Sequence, residues 1–163
     1  MAAPSDFSSY LEEVASRTAA PGGGSVAAVV AAFAAALTEM AARYADEEET
    51  AARAGALRAR FIELAAEDAE AYGAVLGAKG EERQQALSRA ADVPLELAES
   101  AVEVAELANR LAAGGNPTLR GDAMTAALLA TAATKAAANL VEINLESRPE
   151  DERIARARAL WRA

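Results

Sequence analysis

The chain has 163 residues, no cysteine, no histidine and a formal net charge of −9. That composition excludes a disulfide framework, thiolate chemistry, histidine-based triads and the common zinc sites, and the acidity argues against non-specific nucleic-acid binding. Apolar residues make up 53% of it, but alanine supplies much of that share, and valine, isoleucine and the aromatics are sparse, so helix is favoured over strand throughout. The expected class is all-α, as a single domain over residues 1–163. Acid–base work is left to Asp, Glu, Lys, Tyr or bound water. The opening "MAAPSDFSSYLEE" has no basic stretch before an apolar one, so no signal peptide is expected and a cytoplasmic location is.

The first helix is expected over residues 7–17, capped by Ser5 or Asp6, with Phe7, Tyr10, Leu11 and Val14 on its apolar face. Pro21 and three glycines then break the chain. A second helix over 24–45 is apolar nearly all round and belongs in the middle of a bundle. A third spans 48–77 despite Gly55, and "GAKGEE" turns into a fourth that reaches about residue 113. Pro94 must kink or restart that fourth helix. "AAGGNPTLRGD" is a loop. It delivers Asp122 as N-cap of a fifth helix over 122–145, and Pro149 opens a short tail helix to about residue 161.

The sum is an up-and-down bundle of five main helices plus a short C-terminal helix. Residues 22–38 and 123–134 are apolar but short and alanine-rich, so they are expected as core helices and no membrane partner is expected. The small-residue faces of the second and fifth helices exceed what one bundle can bury. A helix-packed homodimer with two-fold symmetry follows as an expectation.

Four places carry candidate chemistry. Gly22-Gly23-Gly24-Ser25 opens a helix whose first N–H groups lack partners, which suits an anion; a flexible connection with an N-cap is the plainer reading. Asp68 falls on the apolar stripe of Phe61, Leu64, Ala65, Tyr72 and Val75, where a carboxylate is costly unless paired or protonated. It is a candidate general acid or base, or else a structural partner of Arg120 or Lys135. Asn116 and Asp122 bracket the "GGNPTLRGD" loop, either as turn and cap residues or as site residues. Asn144, in "VEINL", is an amide near the end of an apolar helix and needs partners. Lys135 is read as snorkelling to the surface.

Taken in order, "PGGGS", "EDAEAY", "VPLELAE", "GNPTLRGD" and "EINL" resemble one family, the cyclodeaminase/cyclohydrolase family of folate enzymes, over roughly residues 7–145. The resemblance implies an all-α homodimer acting on one-carbon units carried by tetrahydrofolate. A formimidoyltetrahydrofolate cyclodeaminase closes the N5-formimidoyl group to the 5,10-methenyl form and releases ammonia. A methenyltetrahydrofolate cyclohydrolase adds water to the methenyl form. Both pass through a tetrahedral carbon between N5 and N10 and move protons at nitrogen. No metal and no permanently bound cofactor is implied; the tetrahydrofolate derivative is the substrate.

Carried over residue by residue, the resemblance makes Asp68 and Asp122 the catalytic candidates. Gly22, Gly23, Gly24, Ser25, Asn116 and Asn144 become the substrate-binding ones, with the amides on the pterin or amidine and the glycine turn on a folate carboxylate. Three departures stand out. "TAAP" replaces the common Thr-Pro-x-Pro before the glycines, and the acidic "ADEEET" follows the second helix where relatives are often basic. Leu140 occupies a position where relatives commonly have asparagine. The alternative that "ADEEET" favours is a non-catalytic helical dimer of the same fold, binding a folate-like ligand or acting as an interaction module.

Overall fold

The computed structural model describes residues 7–162. Among them every regular element is helical: α1 Phe7–Ala15, α2 Gly23–Arg43, α3 Glu48–Gly77, α4 Gly80–Ala90, α5 Asp92–Gly114, α6 Arg120–Asn144 and α7 Glu152–Arg162. A short 3₁₀ turn, Pro117–Leu119, leads into α6. The caps expected at Ser5 or Asp6 lie outside the described residues.

The expected fourth helix is two helices. Pro94 has no N–H to donate to the Ala90 carbonyl, so α4 ends at Ala90 and α5 begins at Asp92, which leaves Pro94 in the first turn of α5, where proline is tolerated. The fifth expected helix, here α6, starts two residues early. Asp122 is therefore its third residue rather than its N-cap, and Leu119 holds the cap position without a side-chain bond.

α2 runs through the centre and packs against α3, α5 and α6. Its alanines at 28, 31, 34, 35 and 42 are sealed from solvent, as are Ala126, Ala130 and Ala137 of α6. These small side chains bring the helix backbones close, and the space around them is filled by Phe61, Leu64, Leu97, Val104, Val141 and Leu145. The Gly23–Arg43 and Pro117–Asn144 segments are each long and apolar enough to cross a membrane by length and composition. In the folded chain they supply the core alanines.

α1 is attached lightly. Tyr10 is its single buried residue, and the Phe7 ring meets Phe33 of α2 edge-on, with centroids 5.9 Å apart. Arginine–glutamate pairs lie on the flanks: Arg60 bridges Glu63 and Glu67 on α3 to Glu96 on α5, Arg53 reaches Glu103, and Arg158 of α7 reaches Glu142. Exposed apolar side chains remain on the outward faces of α2 and α6. Phe33 is 50% exposed and Leu128 is 70% exposed, with Met124 and Ile143 also open.

A candidate active site at the start of the central helix

A helix N-terminus leaves its first N–H groups without partners inside the helix. Gly22, at the cap position of α2, has no side chain with which to answer them. Asp68 answers from α3. Its Oδ2 accepts the Ser25 N–H at 2.9 Å and lies 3.1 Å from the Ser25 hydroxyl, which also reaches the Ala65 carbonyl at 2.9 Å. The partner of Asp68 is thus the terminus of α2 rather than Arg120 or Lys135. This is an N-cap supplied across the helix interface, and it favours the charged carboxylate.

The same contact explains one glycine. A Cβ on Gly24 would sit 2.0 Å from Asp68 Oδ1 and 2.4 Å from its Cγ. Only glycine fits while Asp68 holds that place. Partial burial pushes the Asp68 carboxyl above its ordinary value, and the two Ser25 hydrogen bonds oppose that rise without cancelling it. Oδ2 is engaged with Ser25, while Oδ1 carries no hydrogen bond among the described residues.

Asp68 faces a pocket of about 290 Å³. The three glycines form one wall, Tyr72 of α3 another, and Leu140, Ile143 and Asn144 at the end of α6 close it. No lysine or arginine lines it. Its chemistry is one carboxylate, one phenol, one amide and bare backbone on an apolar floor, which suits a flat heteroaromatic group better than an anionic tail. Leu140, noted for its departure from the common asparagine, lies in this wall. Among the described residues no cluster of three or more acidic side chains could hold a metal ion.

Asn144 is oriented by the helix break. Pro94 leaves the Ala90 carbonyl without its helical donor, and Asn144 Nδ2 supplies one at 3.1 Å. With the nitrogen so committed, the amide oxygen is free to accept from a ligand. The "VP" dipeptide on one helix therefore sets the direction of an amide on another.

The Gly22–Gly24 turn, Asp68 and Asn144 are brought together; Asn116 and Asp122 are not. Asn116 Nδ2 donates to the Tyr44 carbonyl at the far end of α2, and its Oδ1 accepts the Thr118 N–H, which caps the 3₁₀ turn. α2 has 21 residues, so at about 1.5 Å per residue roughly 30 Å separate the two ends. Within one chain the glycine turn and the 116–122 loop therefore lie at opposite ends of α2. α2 and α6 run antiparallel, so the loop that starts α6 lies at the opposite end from the residues that finish it.

In the sequence Tyr10 is one residue of the apolar face of the first helix. Its hydroxyl is buried without a hydrogen-bond partner among the described residues, and burial first, then the Asp68 charge, pushes the phenol above its ordinary range. The available signal was a phenol, rather than a phenylalanine, at an inward position.

The sequence pattern described as formiminotransferase-cyclodeaminase matches residues 6–161. The chain belongs to this family. It is 32% identical to a methenyltetrahydrofolate cyclohydrolase of Methylorubrum extorquens, in a match covering 88% of this chain and 81% of that protein. It is 35% identical to the formimidoyltransferase-cyclodeaminase of Rattus norvegicus, over 87% of this chain and 31% of the longer rat protein. The fold is similar to that of a formiminotetrahydrofolate cyclodeaminase from Thermotoga maritima, with a TM-score of 0.87, 29% identity, and coverage of 96% of this chain and 90% of that one. The family resemblance read from "PGGGS" through "EINL" is therefore borne out.

Proposed function

We propose that this chain is a one-carbon folate enzyme that makes or opens the 5,10-methenyl bridge of tetrahydrofolate, with Asp68 moving the proton. The observation that supports this best is the Asp68 carboxylate: one oxygen is fixed on Ser25, the other is open beside the pocket, and its proton affinity is raised. In cyclodeamination N10 attacks the formimidoyl carbon and gives up its proton, and the departing nitrogen gains one and leaves as ammonia. In hydrolysis water attacks the cationic methenyl carbon and gives up both protons as the formyl carbonyl forms; N5 gains one as its bond to carbon breaks, and the other leaves to solvent. One carboxylate that takes and then returns a proton serves either direction. Asn144 holds an N–H edge of the pterin through its free oxygen, and the Gly23 and Gly24 backbone sits against the reacting group. The test is absorbance of the methenyl chromophore, offered once as substrate and once awaited as product from the formimidoyl form. A purified protein that changes neither signal contradicts the reading and favours a non-catalytic helical dimer.

The second half of the proposal concerns Asn116 and Asp122. The exposed apolar residues Phe33 of α2 and Met124, Leu128 and Ile143 of α6 make a strip between the pocket, which Ile143 lines, and the 116–122 loop that starts α6. A two-fold axis across the middle of this strip lays each loop over the other subunit's pocket, so the family-matched residues meet between copies although they are 30 Å apart, by about 1.5 Å per residue, within one. Hybrid dimers test this. Asp68→Asn and Asp122→Asn, each inactive alone, should recover roughly a quarter of normal turnover when refolded together, because half the dimers are hybrids with one intact site. No recovery, or a monomer by sedimentation, removes the shared site.

A further inference from the structure

A carboxylate drawn part-way out of water is normally met by a cation. Asp68 lines the pocket of about 290 Å³ and meets none there, since no lysine or arginine shares that lining. The arginines of its own helix are spent elsewhere: Arg53 on Glu103, Arg58 on Glu39, and Arg60 on Glu63, Glu67 and Glu96. What Asp68 has is the start of α2, through the Ser25 N–H at 2.9 Å and the Ser25 hydroxyl at 3.1 Å, both on Oδ2. A helix N-terminus answers about half of one charge. Oδ1 has no donor among the described residues. Burial raises the proton affinity of the group, the Ser25 bonds only oppose the rise, and no cation takes part. The pocket thus presents an anion whose counter-charge the described residues do not supply.

We propose that the pocket is a cation site: it selects flat ligands that carry an amidinium, and the ligand completes the ion pair that Asp68 lacks. An amidinium is a planar N–C–N cation whose shape matches the edge of a carboxylate. Tyr72, in the same lining, offers ring surface beside it. A single carboxylate is too few ligands for a metal ion, and among the described residues no cluster of three or more acidic side chains exists, so an organic cation is the fit.

The proposal rests on the reading of the pocket as a one-carbon folate site only for the identity of the natural cation. The protonated formimidoyl group and the methenyl bridge are both amidinium cations, whereas a formyl group is neutral. Ion pairing therefore holds the cationic forms and releases the formyl form. A folate carboxylate on the glycine turn would meet Asp68 as a like charge, so the glutamate end of the substrate lies outside this pocket.

Inert probes of one shape test the charge preference without turnover: benzamidinium, benzamide and benzoate. Each is titrated into ligand-free protein at about pH 8, well above the ordinary carboxylate range, and followed by NMR shifts of the Gly23 and Gly24 amides. The expected order of affinity is benzamidinium, then benzamide, then benzoate, with roughly tenfold between the cation and the neutral probe. Asp68→Asn should bind benzamidinium no better than benzamide, with circular dichroism recorded on the same sample. Leu140→Lys, which brings a cation into the pocket wall and leaves Asp68 in place, should also abolish the preference. Equal affinities in wild type, a preference for benzoate, no shift with benzamidinium, or a preference that survives either substitution overturns the proposal. The expected order in a protein that leaves the methenyl and formimidoyl forms of tetrahydrofolate unchanged keeps the cation site and instead overturns the folate reading.

Discussion

Gly24→Ala is the sharpest structural perturbation available. The new methyl would lie 2.0 Å from Asp68 Oδ1 and 2.7 Å from Oδ2. The carboxylate cannot remain, because it is short and tied at 2.9 and 3.1 Å to Ser25. Moving it breaks both contacts. Hydrogen bonds to a charged group are worth about 1.5–3 kcal/mol each, and the group's partial exposure lowers that figure. Alanine returns up to about 1 kcal/mol of helix propensity, less in a first turn. The net loss is about 2–3 kcal/mol, with turnover down by roughly 10²-fold as the proton carrier is displaced. Gly23→Ala is the control: nothing stands within 4 Å of its Cβ, and alanine there should be neutral or stabilising by about 0.4–1 kcal/mol. Urea unfolding and the methenyl assay on both variants decide the matter. If Gly24→Ala is as stable and as active as Gly23→Ala, Asp68 does not occupy that place in solution.

Other substitutions probe separate parts of the account. Pro94→Ala restores an N–H for the Ala90 carbonyl and so competes with Asn144; about 1 kcal/mol from the regained bond offsets most of the lost ring burial, so the melting temperature should hold while KM rises several-fold. Leu128→Glu places a charge on a 70% exposed position and should leave the helical circular dichroism intact while sedimentation shows monomers. Asp68→Asn should show a specific pH signature in stability. The folded carboxyl binds its proton more tightly than the unfolded one, so the wild type loses stability as pH rises from the ordinary carboxylate range through the raised value, whereas the amide does not. The stability of Asp68→Asn relative to wild type should therefore be greater at neutral pH than near pH ~4, and denaturant curves at both would reveal a flat difference if burial does not act on Asp68.

Periodicity and punctuation carried most of the fold. The apolar circumference of 24–45 announced the central helix, and the inward offset of Asp68 from Phe61, Leu64, Tyr72 and Val75 announced a partly buried carboxylate with raised proton affinity. Pro94 announced a break but left kink and restart open, because the choice depends on whether another group satisfies the freed carbonyl; Asn144, 50 residues away in sequence by simple subtraction, does so. The partner of Asp68 was legible only as a need. Periodicity says which way a side chain points and not which helix end it meets, so Arg120 and Lys135 were natural candidates and Ser25 was not. The separation of the 116–122 loop from the glycine turn was equally hidden, since a motif order along the chain does not reveal which end of an antiparallel pair each motif occupies.

The most direct test of the central claim is single-turnover kinetics of wild type and Asp68→Asn with the methenyl and formimidoyl forms of tetrahydrofolate, read by methenyl absorbance with melting temperatures measured on the same samples. The account predicts turnover by wild type and a loss of about 10²-fold or more in Asp68→Asn, the scale of a missing proton-transfer group, with folding kept. An Asp68→Asn protein that is well folded and turns over at near the wild-type rate contradicts it.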